Sequence, residues 1–147
     1  MPKTNLNKFL QAQKRDYSTA LREISSGRKQ SHWIWYIFPQ LKALGRSETA
    51  KHYGIKDLAE AREYLANDTL RNRLIEISQA LLDLPKVPGV GIRDIMGFPD
   101  DLKLCSSMTL FYLAEPKYEV FKQVLDKYFH GVPDEDTVKI CKNASET

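Results

Sequence analysis

Between Leu6 and Ile24 the apolar residues Phe9, Leu10, Tyr17, Ala20, Leu21 and Ile24 recur at spacings of three and four. That period puts them on one stripe of an α-helix, and the stripe must be buried against other elements. The rest of the chain supplies partners of the same kind. Gly27 suits the left-handed residue beyond the first helix. Ser47, followed by Glu48, reads as the N-cap of a short helix ending at Tyr53-Gly54. Asp57-Leu58-Ala59-Glu60 has capping-box spacing, with Asp in place of Ser or Thr, and opens a helix through Leu65. Asn67-Asp68 caps a longer one carrying Leu70, Leu74, Ile77, Leu81 and Leu82. Ile92 to Met96 fits a single turn. Pro99-Asp100-Asp101 is a helix start, proline early and acids in the first turn, leading to Leu113. Glu115-Pro116 starts another helix, with Tyr118, Phe121, Val124, Leu125, Tyr128 and Phe129 on its apolar side and Gly131 at its end. A last helix is expected from Asp134 to Cys141, with 142–147 as a frayed tail.

Two stretches resist this reading. Ser31 to Gln40 (SHWIWYIFPQ) is the densest aromatic run, and periodicity does not separate a buried strand from a buried helical turn there. Pro39 ends it and biases Phe38 away from helix. Pro85, Pro88, Gly89 and Gly91 form the main loop. The part after it is too small to bury a core of its own, so the loop is internal to one domain. The expected fold is mainly α, a single multi-helix domain over 1–141. A length of 147 residues with 42% hydrophobic side chains suits one such core.

Charge and cysteine content narrow the function classes. With 22 basic and 19 acidic side chains the net charge is +3, too small without clustering to mark a nucleic-acid binder. There is no apolar run of about 18 residues to span a membrane. Met1-Pro2-Lys3-Thr4-Asn5 opens no secretory leader, so a cytoplasmic protein is expected. Cys105 and Cys141 are the two cysteines, without CxxC spacing, and read as buried thiols. The histidines His32, His52 and His130 form no i, i+4 pair, so no metal and no cofactor is expected.

The run Gly27-Arg28-Lys29-Gln30-Ser31-His32-Trp33-Ile34-Trp35, then Phe38-Pro39-Gln40, Leu44-Gly45-Arg46-Ser47, Pro99-Asp100-Asp101-Leu102-Lys103-Leu104 and Ser106-Ser107-Met108-Thr109-Leu110-Phe111, taken in this order, resembles the family known as domain of unknown function 1810. The resemblance runs from about Leu6 to Ile140. It implies a single mainly α-helical domain and carries over no activity and no catalytic residue. The chain departs from the family pattern at Cys105, where many relatives have arginine.

Three segments hold candidate site residues. Arg46 and Ser47 stand at a helix start, where free N–H groups favour a phosphate. Arg28, Lys29 and Ser31 lie in a second basic turn, and Trp33 or Trp35 between the two would stack a base. Capping by itself fully explains Ser47. His32 beside the tryptophans is a candidate general base, or an ordinary partly buried histidine. Asp100, Asp101, Lys103, Ser106 and Ser107 crowd one helix with Thr109. The acids would serve as base or ribose ligand; alternatively they serve the helix N-terminus, with the hydroxyls bonding back to the preceding turn.

Together these residues point to a phosphate-bearing, nucleotide-like small molecule of the ADP-ribose or NAD type. If a reaction follows, metal-free hydrolysis of an N-glycosidic bond with His32 or Asp101 as base fits best, by analogy at fold level with small helical glycosidases of such ligands. The alternative is a protein-interaction module whose exposed patch is Trp33, Trp35, Tyr36 and Arg28.

Overall fold

A computed structural model of the chain describes residues 6–145. The described residues form nine α-helices: α1 (Asn7–Ser25), α2 (Ile34–Ile37), α3 (Glu48–His52), α4 (Leu58–Ala66), α5 (Asp68–Asp83), α6 (Ile92–Met96), α7 (Asp100–Ala114), α8 (Val120–Phe129) and α9 (Glu135–Ser145), with a 3-10 turn at Lys42–Leu44. There is no strand among them, only an isolated parallel bridge between Leu41 and Ile55. The fold is mainly α.

The three expected N-cap side chains make their bonds, the Asp57–Glu60 capping box in its first half only. The side chains of Ser47, Asp57 and Asn67 accept the N–H of Ala50, Glu60 and Leu70 at 2.9–3.0 Å, holding one orphan donor of each helix start. Two boundaries move. Glu115 is extended (φ −145°, ψ 84°), as the residue before a proline tends to be. Pro116 therefore ends α7 in a turn and α8 begins only at Val120. At the other end α9 runs on to Ser145, four residues beyond the expected Cys141. The remainder of the anticipated tail, 146 and 147, lies outside the described residues, as do residues 1–5.

α7 is the central helix, packed against α2, α4, α6, α8 and α9, while α5 packs against α1 and α8. Its residues from Ser106 to Phe111 are all buried, including the hydroxyls predicted to bond back along the helix. Ser106 donates to the Leu102 carbonyl at 3.1 Å and Thr109 to that of Cys105 at 2.8 Å, which lets polar side chains sit in a core. A relay of rings ties the helices together: Phe9 to Tyr64 (5.3 Å between centroids), Tyr64 to Phe111 (5.1 Å) and Phe111 to Phe121 (5.9 Å). The aromatic run resolves as one helical turn, α2, with Ile34, Tyr36, Ile37 and Phe38 in the same core.

The segment after α2 is pinned by the Leu41–Ile55 bridge, where Lys42 N–H donates to Ile55 at 2.7 Å and Ile55 N–H to Gln40 at 2.9 Å. At Gly54 a Cβ would lie 2.4 Å from Lys42 Cα, so only glycine lets these strands of chain meet. The bridge fixes where Gln40 and the following Arg46-Ser47 stand.

The C-terminus of α5 has no glycine cap. Instead Lys127 of α8 donates to the carbonyls of Leu81, Leu82 and Leu84 at 3.4, 2.8 and 2.5 Å. An ammonium on the last carbonyls satisfies orphan acceptors and complements the helix dipole. Burial holds its pKa below the ordinary lysine value. Lys127→Ala should destabilise the domain by about 1–2 kcal/mol, read as a lower urea midpoint at unchanged slope. Lys127→Arg should recover part of the loss.

Candidate functional site

The turn after α1 is organised by a carboxylate. Glu23 is buried in the last turns of α1. Its Oε1 accepts the N–H of Gln30 (2.7 Å) and Ser31 (2.9 Å) and the indole Nε1 of Trp33 (2.9 Å), while Oε2 accepts the Ser31 hydroxyl (2.6 Å). Burial alone would raise its pKa, but these donors outweigh burial and hold it down to about 2. The turn folds over this anion, and Trp33 is drawn inward until it is 1% exposed.

Lys29 in the same turn points inward as well. Its Nζ lies 2.8 Å from Asp100 Oδ2, donates to the Ser31 carbonyl at 2.6 Å, and sits 5.0 Å above the Trp33 ring. The Lys29 N–H donates to Ile95 of α6 at 2.7 Å. Asp100 also faces Lys103 at 3.6 Å, and Lys103 stands 5.5 Å over the half-buried Trp35. The turn, α6 and the start of α7 thus form one electrostatic unit.

On the far side of Lys103 lies an open cleft of about 610 Å³, within the range of small-molecule sites of about 300–1,000 Å³. The segment before α3 brings Gln40, Arg46 and Ser47 to it. The start of α7 brings Phe98, Leu102, Lys103 and Ser106, and the start of α9 brings Asp134 and Asp136. Phe98 is 64% exposed, with the Arg93 guanidinium 4.7 Å above its ring. Neither the Arg46 nor the Asp136 side chain has a hydrogen-bond or ion-pair partner among the described residues. An unpaired cation, an unpaired carboxylate and an exposed ring therefore share one cavity wall system.

Of the residues anticipated from sequence, the structure gathers Arg46, Ser47, Lys103 and Ser106 on this cleft. Arg28 is exposed in the turn, away from it. Lys29 and Ser31 are committed to Asp100 and Glu23, and Trp33 to the core. Ser107 is buried with no partner for its hydroxyl. His32 is exposed and does not line the cleft. Asp101 is 4% exposed, with Oδ2 3.3 Å from Arg93 Nε and Oδ1 without a partner, and it too does not line the cleft. The expected anion site at a helix N-terminus also weakens. α3 has five residues, so few peptide dipoles align there, and the Ser47 hydroxyl is taken by capping.

The alternative aromatic patch does not form: Trp33 and Tyr36 are 1% and 5% exposed. A run that dense in large apolar rings serves the core. Burial, aided by Asp134, pushes the Cys105 thiol up to about 11, which disfavours the reactive thiolate at neutral pH. Sequence reasoning passed over Gln40, Phe98 and Asp136. Gln40 closes the aromatic run, Phe98 precedes the proline of a helix start, and Asp136 reads as one more acid in a first turn; none of these signals is specific.

Residues 3–141 match the family described as Protein of unknown function (DUF1810). The chain is also similar to a solved structure, the conserved hypothetical protein Rv1873 from Mycobacterium tuberculosis. The two share 43% identity and a TM-score of 0.89, over 94% of this chain and 96% of that one. A comparison with curated proteins finds no match.

Proposed function

The chain belongs to the DUF1810 family of proteins of unknown function, and from the geometry of its cleft we propose that it binds a phosphate-bearing, nucleotide-like small molecule there. The observation that carries this reading is the unpaired Arg46 sharing a cavity with Lys103 and the exposed Phe98 ring. A guanidinium takes two phosphate oxygens in its planar fork, an ammonium adds a point charge, and an aromatic face takes a planar base. Gln40 and the Ser106 wall offer further polar contacts.

The reading is of binding. The two residues anticipated as base for N-glycosidic hydrolysis, His32 and Asp101, stand off the cleft, so no hydrolytic step is assigned to them. The reading places the protein in the cytoplasm, where such phosphates reside and where Cys105 and Cys141, which form no disulfide, stay reduced. Among the described residues no helix is long and apolar enough to cross a membrane.

Thermal unfolding in the presence of AMP, ADP, ADP-ribose, NAD and simple sugar phosphates tests it. A compound at about 100 times its Kd should add roughly 2.7 kcal/mol of stability, a clear rise in Tm. Arg46→Ala should abolish the rise while leaving the unliganded Tm within about 1 °C, because exposed unpaired side chains contribute little to stability. Absence of a rise with every phosphate compound overturns the reading.

A further inference from the structure

The cleft carries charge of both signs, and the acidic part sorts itself by partner. Asp134 caps α9: its Oδ2 accepts the Thr137 N–H at 3.0 Å and the Thr137 hydroxyl at 2.7 Å. Its own N–H donates to Thr109 of α7 at 2.9 Å, which anchors the start of α9 to the central helix. Glu135 is paired with Lys139 at 3.1 Å. Asp136 alone of the three has no side-chain partner among the described residues, and it lines the cleft. The basic side sorts the same way, Lys103 being held by Asp100 and Arg46 left free. Arg46 and Asp136 face one cavity and yet do not pair with each other.

Two opposite charges on one wall system, each unpaired, suit a ligand that is anionic at one end and a hydrogen-bond donor at the other. A carboxylate recognises vicinal hydroxyls, as acidic residues do at the ribose of bound dinucleotides. Resting on the nucleotide-like reading of this cleft, we propose that Asp136 is a specificity-determining residue that accepts from the ribose hydroxyls of a nucleoside phosphate. Arg46 and Lys103 hold the phosphate, and Phe98 lies against the base. The preferred ligand class is then a ribonucleotide rather than its 2′-deoxy counterpart.

Calorimetric titration of the full chain with AMP, 2′-deoxy-AMP and ribose 5-phosphate tests this. Wild type should bind AMP about tenfold tighter than 2′-deoxy-AMP, the size of one lost hydrogen bond to a charged acceptor. Asp136→Ala should bring the two affinities to within about twofold, weakening AMP more than 2′-deoxy-AMP, which lacks one of the two donors. Arg46→Ala should weaken both by a similar factor and keep their ratio. Equal affinities in wild type, or a ratio that survives Asp136→Ala, overturns the role of Asp136 while the phosphate reading stands. Failure of all three compounds to bind wild type overturns both.

Discussion

Replacing Glu23 by alanine should destabilise the domain by roughly 3 kcal/mol, or about 6–12 °C in Tm for a chain of this size. The side chain takes four hydrogen bonds from the turn that follows α1. Without it, water reaches the loop donors of Gln30 and Ser31. The Trp33 indole N–H, on a ring 1% exposed, is stranded at full desolvation cost. Glu23→Gln keeps the volume but turns one acceptor atom into a donor facing other donors, and should lose somewhat less. The charge itself is read through pH. The folded-state pKa, about 2, lies below the ordinary 4.5, so this carboxylate stabilises the fold fully above pH 4.5 and the contribution is lost as pH falls towards 2. The stability gap between wild type and Glu23→Gln should therefore be widest near neutrality and narrow in acid. A gap independent of pH over that range would mean that charge at Glu23 does not hold the turn.

The same carboxylate explains why the helices were legible and the site only partly so. Caps and apolar stripes are local, and Ser47, Asp57 and Asn67 do what their spacing dictates. Whether Trp33 faces solvent or core depends on Glu23, ten residues earlier on what reads as the polar side of a helix. Lys29 resembles any basic turn residue until Asp100, 71 positions later, removes it from the surface. Two of the three polar segments do converge, since Arg46-Ser47 and Lys103-Ser106 share the cleft. The third meets the start of α7 through Lys29 and Asp100 instead and contributes no residue to the cleft. The acidic wall was invisible because α9 meets α7 only through tertiary packing at Thr109 and Asp134.

Asp100→Ala should be more damaging still, at about 3–5 kcal/mol, because it leaves the Lys29 ammonium buried without its counter-ion. The Lys29 side chain is 5% exposed and that of Asp100 18%, and this asymmetry predicts unequal single variants. Lys29→Met removes the buried charge and fills its space with a side chain of similar length. Asp100, nearer water, keeps Lys103 at 3.6 Å. The loss should be about 1–1.5 kcal/mol, mainly the unpaired Ser31 carbonyl and the contact with Trp33. The double variant should then be more stable than Asp100→Ala alone, since no ammonium remains to be neutralised. Such a recovery is a coupling of about 2 kcal/mol or more, measurable by chemical denaturation of the four proteins. Additive losses, with both singles equally damaged, would show that Lys29 is held by its stem and the Trp33 ring and that Asp100 does not set where the turn docks. In that outcome Lys103 would owe its position at the cleft to Trp35 rather than to the ion-pair chain that begins at Lys29.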